Sequence, residues 1–251
     1  MQRVSETREI RDYAFETKFL IDPALGHRIR EWMRAKLSPD PYGSGSHGDE
    51  YRITSLYFET RNYDVFRRQG SYGRSKYRVR RYGSADVAYL ERKMRTSTLL
   101  SKRRTPIALE DLESLNADAF TTPWAGSWFQ QRVAVRGLQP SCQVTYQRVA
   151  RTGVDAHGPF RVTLDDQLTV VPAEELQFVS GAGTPILQRG FILELKYRVA
   201  PAVALKELVE EFALSPKRVS KYRLGMLALV DRLGGGLSDL REMHTIELRY
   251  A

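Results

Sequence analysis

Regular alternation of polar and apolar residues predicts β-strands along most of the chain. In residues 13–21, Glu16 and Lys18 alternate with Phe15 and Phe19, which gives the two-residue period of a strand. The same period recurs in residues 52–60, 76–95, 142–150, 160–166 and 191–199. Each stretch places polar residues on one face and apolar residues on the other. We therefore predict an antiparallel sheet of six or more strands.

The segments between these strands carry helix signals. Residues 22–37 open with an Asp cap followed by proline and contain an apolar stripe. Residues 215–233 open in the same way, with Ser215 as the expected cap and Pro216 at the first position. Further helices are predicted at residues 60–70, 105–120, 127–138 and 201–214, and a surface loop at residues 38–50.

Cations are concentrated on one face of the strands in residues 76–95. The charged residues of that face are Lys76, Arg78, Arg80, Glu91, Lys93 and Arg95. A solvent-facing sheet is one explanation, but solvent faces usually mix charges, because like charges on neighbouring strands repel. The alternative is a closed or nearly closed barrel with its polar face inward and helices on its apolar face. We favour the barrel because it also buries the apolar side.

The composition is that of a globular protein with a basic bias. The chain of 251 residues has 39 Lys+Arg against 30 Asp+Glu, and 42% of its residues are hydrophobic. We expect one domain over residues 1–251. The single cysteine, Cys142, excludes an internal disulfide and fits a reducing compartment. Because no apolar run approaches the ~20 residues of a membrane span, we expect a cytoplasmic protein without a span in this chain.

A lumen of cations needs anionic partners. Two like charges ~4 Å apart repel by roughly 4 kcal/mol at an effective dielectric constant of about 20. Guanidinium groups match phosphate oxygens in a bidentate way and lysines add mobile charges, so we predict a ligand with several phosphates. Glu194, Glu16 and Asp165 lie on the same polar faces and could bind Mg²⁺ or Mn²⁺ between phosphates. For Glu16 and Asp165, the alternative is a counter-charge to neighbouring arginines.

Nine short motifs carry a family resemblance. In chain order they are FETKF, SLYFET, KYRVRRYG, YLERKMR, SKRRT, VTYQRVA, RVTLDD, ILELKYR and RVSKYRLG. From about residue 10 to about residue 232, the sequence resembles the VTC (vacuolar transporter chaperone) domain, the polyphosphate polymerase branch of the triphosphate tunnel metalloenzymes. The resemblance implies an α+β fold, with an antiparallel β-barrel, helices packed outside and a C-terminal helix near the tunnel.

The resemblance also implies site residues. The residues that match catalytic positions are Lys18, Arg78, Arg80, Lys93, Tyr146, Arg148, Ser220 and Lys221. Glu194 matches the metal-binding glutamate, and Glu16 and Asp165 are further candidate ligands. The other residues predicted to bind phosphate are Lys76, Lys102, Arg161, Lys196 and Arg218. Tyr146 and Ser220 also have simpler explanations, as a strand aromatic and a helix-surface hydroxyl.

One departure from the superfamily bears on the reaction. Triphosphatases and adenylate cyclases of the same fold carry a Glu-x-Glu-x-Lys strand, whereas this chain has Ala14 in place of the first glutamate, followed by Glu16 and Lys18. The resemblance therefore implies fewer metal ligands, which disfavours the hydrolase and cyclase interpretations.

The predicted function is a metal-dependent phosphotransferase, namely an NTP-dependent polyphosphate polymerase with Mn²⁺ or Mg²⁺ as cofactor. Its expected partners are ATP or another NTP and polyphosphate or pyrophosphate. Two alternatives stay open: a triphosphatase of the same fold, and a non-catalytic protein that binds polyphosphate or nucleic acid. Nucleic acid is not expected, because its binders tend to place charge on an outer surface with stacking aromatics. A membrane partner and the oligomeric state also stay open.

Overall fold

The computed structural model describes residues 14–95, 100–118, 123–187 and 190–233. The strands are β1 Phe15–Ile21, β2 Ser38–Pro39, β3 Glu50–Glu59, β4 Ser75–Tyr82, β5 Val87–Arg95, β6 Leu100–Ala108, β7 Gln139–Asp155, β8 Gly158–Pro172, β9 Thr184–Pro185 and β10 Phe191–Tyr197. The helices are α1 Pro23–Lys36, α2 Asp64–Arg67, α3 Ser127–Val135, α4 Val203–Glu211 and α5 Lys221–Leu233. Short 3₁₀ segments span Gly70–Arg74 and Glu110–Asn116.

The strands form one antiparallel sheet that curls around a central space. Eight of them follow the order β1-β10-β8-β7-β3-β4-β5-β6, while β2 pairs with β7 and β9 pairs with β8. The curl brings β5 back towards β1, because Lys93 Nζ lies 2.6 Å from Glu16 Oε2. In the described residues, the sheet therefore has edges at β1 and β6 and is nearly closed by side chains. The predicted α+β fold with an antiparallel barrel-like sheet is confirmed.

The convex face of the sheet is apolar and is covered by helices. One hydrophobic cluster joins Phe19, Leu164 and Leu193 of the sheet to Ile29 of α1 and Leu208 of α4. Phe129 of α3 covers the other half of the sheet. Its ring packs edge-on against Phe58 and Tyr77, with centroids 5.4 and 5.8 Å apart. Burial of these side chains is what holds the helices against the sheet.

Helix α5 packs on the concave face instead. Val144 lies opposite Ser55, which in turn lies opposite Arg80, so the three share the concave face. A Cβ added at Gly225 of α5 would meet Val144 Cγ2 at 3.1 Å and Val170 Cγ2 at 3.3 Å. The glycine therefore permits the close approach of α5 to the inner wall. This helix fills part of the interior and leaves the rest as a cavity.

A bulge in β8 changes which residues face inward. Thr145 pairs with Thr169 and Gln147 pairs with Asp166, so β8 holds one extra residue at this point. Gln167 takes the left-handed conformation, with φ of 50°. As a result, Asp165 faces Arg148 on the concave side, while Leu168 joins the hydrophobic cluster of α5.

Two predicted helices are wrong in their extent. Residues up to Ala108 of the stretch predicted as a helix at 105–120 belong to β6, because they pair with β5, and a 3₁₀ segment follows. Pro106 is accommodated because β6 is an edge strand. The predicted helix at residues 60–70 is shortened to α2, since Glu59 binds the amides of Val65 and Phe66 and fixes where the turn begins.

The start of the last helix is also different from the prediction. Ser215 and Pro216 precede the helix, which begins at Lys221. Lys217 N donates to Lys18 O at 2.7 Å, so this segment lies along the outer edge of β1. Ser220 Oγ accepts from Arg223 N at 3.3 Å and takes the capping role that was expected of Ser215.

The predicted surface loop at residues 38–50 is in part buried. Asp49 is fully buried and accepts from Arg151 Nε at 2.9 Å and Arg34 Nε at 3.2 Å. Burial alone would raise the pKa of Asp49, but the two arginines lower it from its ordinary value. The loop is thereby attached to α1 and β7. No helix in the part of the chain that the structure describes is long and apolar enough to cross a membrane.

The Glu59 carboxylate anchors the turn after β3. It is 1% exposed, and its two oxygens accept from the amides of Thr60, Val65 and Phe66 and from the hydroxyl of Tyr222. Buried donors that lose their acceptor carry a large desolvation cost. The carboxylate therefore links β3, α2 and α5 at the wall of the interior.

We expect Glu59→Gln to lower the free energy of unfolding by on the order of 3 kcal/mol, because its amide group leaves two buried donors unpaired. Urea unfolding measures the loss. Glu50→Gln, on the same strand but with a side chain 33% exposed, is the matched control and should cost less than about 1 kcal/mol. Equal losses in the two variants would contradict the anchoring role of Glu59.

Candidate active site

The concave face of the sheet and the start of α5 enclose a cavity of about 810 Å³. Among the described residues, thirteen Lys and Arg side chains line it against two carboxylates, Glu16 and Glu194. The cations come from β1, β4, β5, β7, β10, the residues that follow α2, the segment before α5 and the first turn of α5. The excess of positive charge in a concave site favours a multiply charged anion.

All eight residues that match catalytic positions line this cavity. They are Lys18, Arg78, Arg80, Lys93, Tyr146, Arg148, Ser220 and Lys221. The predicted phosphate-binding residues Lys76, Lys196 and Arg218 line it as well. Their location fits the expected roles, which stay predictions.

Two predicted phosphate-binding residues lie elsewhere. Arg161 shares the concave face but is outside the cavity, where its Nη2 pairs with Asp40 at 2.8 Å and donates to the Tyr51 hydroxyl. Lys102 is also outside the cavity lining, and its Nζ lies 2.6 Å from Glu91 Oε1. Strand parity gave the correct face for Arg161 but not its position along the strand, and the motif that suggested Lys102 gave no position at all.

Glu194 is the point where the most cations of the cavity meet. Its Oε1 lies 2.8 Å from Lys221 Nζ and 3.1 Å from Lys18 Nζ. Its Oε2 lies 3.2 Å from Lys196 Nζ and 3.8 Å from Arg148 Nη2. Burial alone would raise the pKa of Glu194, but these cations, Lys18 first, hold it well below its usual range. Glu194 is therefore an ionised carboxylate shared among four cations.

Asp165 stands behind the cavity and orients two of its cations. Its carboxylate is fully buried and accepts a bidentate pair of hydrogen bonds from Arg148, of which Nη2–Oδ2 is 2.7 Å. Lys221 Nζ lies 2.5 Å from the same Oδ2. Burial raises and the two cations lower the pKa of Asp165, with a net decrease. Since both oxygens are taken by cations, the geometry fits the counter-charge alternative for Asp165.

Glu16 of β1 is linked to β5 across the opening of the curled sheet. Its Oε1 lies 2.9 Å from Lys18 Nζ and its Oε2 lies 2.6 Å from Lys93 Nζ. For Lys93, burial is the largest influence and lowers the pKa to about 8, although Glu16 acts in the opposite direction. A lysine of this kind is partly neutral near physiological pH, and a bound anion would favour its charged form.

Glu91 holds the arginines of β4 from outside the cavity. Its Oε2 lies 2.6 Å from Arg78 Nη2 and 3.9 Å from Arg80 Nε, while Lys102 and Arg104 approach its Oε1. This carboxylate is 1% exposed. It was absent from the predicted site, although the sequence offered a signal: Glu91 is the one carboxylate on a face of cations in residues 76–95.

Three hydroxyl groups further fix the arginines. Arg78 Nη1 donates to the Tyr57 hydroxyl at 3.2 Å, Arg80 Nε to Ser55 Oγ at 3.1 Å, and Arg80 Nη2 to the Tyr146 hydroxyl at 3.3 Å. Neutral partners orient a guanidinium group without cancelling its charge. Tyr57 and Ser55 were missed because a hydroxyl on a strand carries no distinctive sequence signal.

The N-terminus of α5 adds to the positive field. The helix begins at Lys221, and residues 219–223 line the cavity. Helix N-termini carry a partial positive charge and amides without intrahelical partners, and they favour anions. The end of α5 and the strand cations therefore act on the same space.

A divalent metal fits this site only in part. The described residues contain no group of three or more His, Cys, Asp or Glu that could hold a metal ion. Glu16 and Glu194 are the two carboxylates of the cavity, and Lys18 Nζ contacts both. Mg²⁺ is commonly bound by one or two carboxylates together with substrate phosphates. All four oxygens of the two glutamates contact lysine or arginine in the structure, so an ion would replace part of these contacts, with phosphate oxygens completing its ligands.

A known protein family matches most of this chain. The sequence model of the VTC domain matches residues 13–230. The chain belongs to the VTC domain family. No curated protein matches it. The predicted resemblance is therefore confirmed over most of the sequence.

Solved structures similar to this VTC domain have low sequence identity. A proposed adenylate cyclase from Bacillus halodurans has 14% identity and a TM-score of 0.49, covering 82% of this chain and 92% of that one. A proposed adenylyl cyclase from Hippeastrum, described as having a dominant triphosphatase activity, has 12% identity and a TM-score of 0.47, covering 90% and 97%. A protein from Pyrococcus horikoshii has 14% identity and a TM-score of 0.45, covering 84% and 97%.

We expect sulfate or pyrophosphate to raise the melting temperature of the VTC domain far more than NaCl at equal ionic strength. An anion bound by the folded cavity stabilises it by mass action and relieves repulsion that salt only screens. Differential scanning fluorimetry measures the shift. Arg80→Ala should lose much of it, whereas Arg81→Ala should keep it, because Arg81 has the opposite strand parity and donates to the carbonyls of Ser84 and Ala85. Equal shifts from all salts would exclude a specific anion site.

Proposed function

We propose that this VTC domain is a metal-dependent phosphotransferase that extends inorganic polyphosphate from ATP or another NTP. The observation that carries the proposal is the convergence of Arg78, Arg80, Arg148 and Lys221 on one cavity together with Glu194. Each of these cations is held by buried carboxylates or hydroxyls, so their positions are set before a ligand binds. Preorganised charge is the main requirement of phosphoryl transfer.

The proposed reaction joins two phosphate chains in the cavity. The γ-phosphoryl group of the NTP lies among the arginines and Lys221. An oxygen of the terminal phosphate of the growing chain attacks its phosphorus. A new P–O bond forms, the bond between the β and γ groups breaks, and the nucleoside diphosphate leaves with the electron pair. The site binds and aligns two anions that would repel each other in water.

The two glutamates of the cavity would supply the protein ligands of the metal ion. Glu194, with Glu16 beside it, would hold Mn²⁺ or Mg²⁺ through carboxylate oxygens, and the ion would neutralise part of the phosphate charge. Lys18 contacts both carboxylates and would keep them ionised before the substrate arrives. Ala14 also lines the cavity, where the related hydrolases carry another glutamate. The smaller number of carboxylates favours phosphate over metal-activated water as the acceptor.

The products decide between polymerase and triphosphatase. We expect pure protein with ATP and Mn²⁺ to give long phosphate chains on a gel and nucleoside diphosphate in solution, with little orthophosphate, because the cavity binds a phosphate acceptor. If orthophosphate forms without phosphate chains, the proposal is wrong and the protein is a triphosphatase. If the protein binds polyphosphate but releases no product from ATP, it is a binding protein and not an enzyme of this kind.

We expect Glu194→Gln and Arg78→Ala to fail in different ways. Loss of the Glu194 charge should weaken the metal, so that added Mn²⁺ recovers part of the activity. Arg78→Ala removes a guanidinium group that touches the transferring phosphate, and its activity should decrease by a factor on the order of 10². Mn²⁺ titration of both variants, with product measured directly, tests this difference. If both respond alike to Mn²⁺, Glu194 is only a counter-charge.

A further inference from the structure

Lys76 differs from the other strand lysines of the cavity. Lys18, Lys93 and Lys196 each have a carboxylate oxygen within 3.2 Å of Nζ, at 2.9, 2.6 and 3.2 Å. Across residues 14–95, 100–118, 123–187 and 190–233, no carboxylate forms an ion pair with Lys76. Its Nζ lies instead 2.7 Å from Ser220 Oγ and 5.9 Å from the centre of the Tyr222 ring. Among the described residues, Lys76 therefore lies in the cavity without a carboxylate that would compensate its charge.

Among the described residues, the charged groups that act most strongly on Lys76 are cations, and the nearby Glu16 is paired with Lys18 and Lys93. Lys93 lies directly opposite it on β5, and Lys18 faces it from β1. Arg68 follows α2, and Arg223 belongs to the first turn of α5. Burial is the largest influence on the pKa of Lys76, and these four cations add to it, so the pKa lies well below its ordinary value.

Ser220 gives an uncharged amine a suitable partner. Its Oγ already accepts from the amide of Arg223 at the start of α5. A serine hydroxyl has one proton to donate besides its acceptor sites. In the structure the Lys76 amine donates to Ser220 Oγ at 2.7 Å. If the amine lost its charge, the hydroxyl proton could be donated to the amine lone pair over the same distance. The pair is stable without a charge on Lys76, and both side chains line the cavity.

We propose that the Lys76 amine is uncharged in the empty cavity and takes up one proton when a phosphate anion binds there. The anion reverses the sign of the local field, so the charged amine becomes the favoured form. The complex then holds more protons than the free protein, and by linkage the affinity for the anion rises as the pH falls. The proposal rests on the phosphate site of the proposed function but not on which reaction follows.

Proton uptake of this kind would make the positive charge of the cavity depend on whether an anion is bound. An uncharged Lys76 adds no repulsion against Lys18, Lys93 and Arg223 while no anion is bound. The positive charge would appear only when a phosphate group lies beside Ser220. Lys76 would thus be a binding residue whose charge depends on occupancy of the site.

Isothermal titration calorimetry with cyclic trimetaphosphate tests the proposal. This ligand has no titratable proton at neutral pH, so any proton exchanged comes from the protein. The titration is done near pH 7, without metal, in buffers with different ionisation enthalpies. We expect the observed enthalpy to depend on the buffer with a slope equivalent to uptake of about one proton per anion. Binding with the same enthalpy in all buffers would overturn the proposal.

Variants assign the proton to Lys76. Lys76→Arg keeps a charge at all pH values, so the uptake should decrease by about one proton per anion, to the small share that Lys93 contributes. Lys76→Met should also lose the proton uptake and should bind the anion more weakly. This variant provides the same test if the larger arginine side chain cannot be accommodated at position 76. Lys36→Arg, at an exposed lysine in the last turn of α1 that does not line the cavity, should keep the wild-type slope. A slope that persists at the wild-type value in Lys76→Arg would overturn the assignment, whereas no binding of trimetaphosphate or polyphosphate by the wild type would refute the phosphate site itself.

Discussion

Repulsion between cations inside the curled sheet is the constraint on which the rest of the structure depends. Two like charges ~4 Å apart repel by roughly 4 kcal/mol at an effective dielectric constant of about 20. The chain meets this cost with a few carboxylates, each shared among several cations: Glu194 contacts four, Asp165 two and Glu16 two. The compensation is incomplete, because no carboxylate in the described part of the chain forms an ion pair with Lys76. A polyanion is the partner that would complete it.

The fold converts this constraint into a site of defined shape. Curling of the sheet brings Lys93 of β5 to Glu16 of β1, so that an ion pair links these two strands across the opening. The bulge at Gln167 lets β8 present Asp165 to Arg148 and then apolar side chains to α5. Helix α5 fills the remaining interior and directs its N-terminus into the cavity. Charge and apolar packing therefore occupy different parts of the same concave face.

The sequence predicted most of the strands and the face on which each charged residue lies, because strand parity is local. Lys18, Arg78, Arg148 and Glu194 were placed together by parity and family resemblance. Strand parity does not give the position of a residue along the strand axis relative to the cavity, which is why Arg161 was assigned to a cavity that it does not line. The start of α5 was misjudged, since the bond from Lys217 N to Lys18 O depends on a distant strand. Family membership likewise leaves the acceptor of the phosphoryl group open.

A crystal structure of the protein with tripolyphosphate would test the central claim most directly. The account predicts three connected phosphate peaks inside the cavity, with the guanidinium groups of Arg78, Arg80 and Arg148 and the amine of Lys221 within hydrogen-bond distance of their oxygens. It also predicts that these side chains move little from their present positions, because Glu91, Asp165 and Glu194 already orient them. Phosphate density confined to the convex face, or an empty cavity at saturating ligand, would contradict the account.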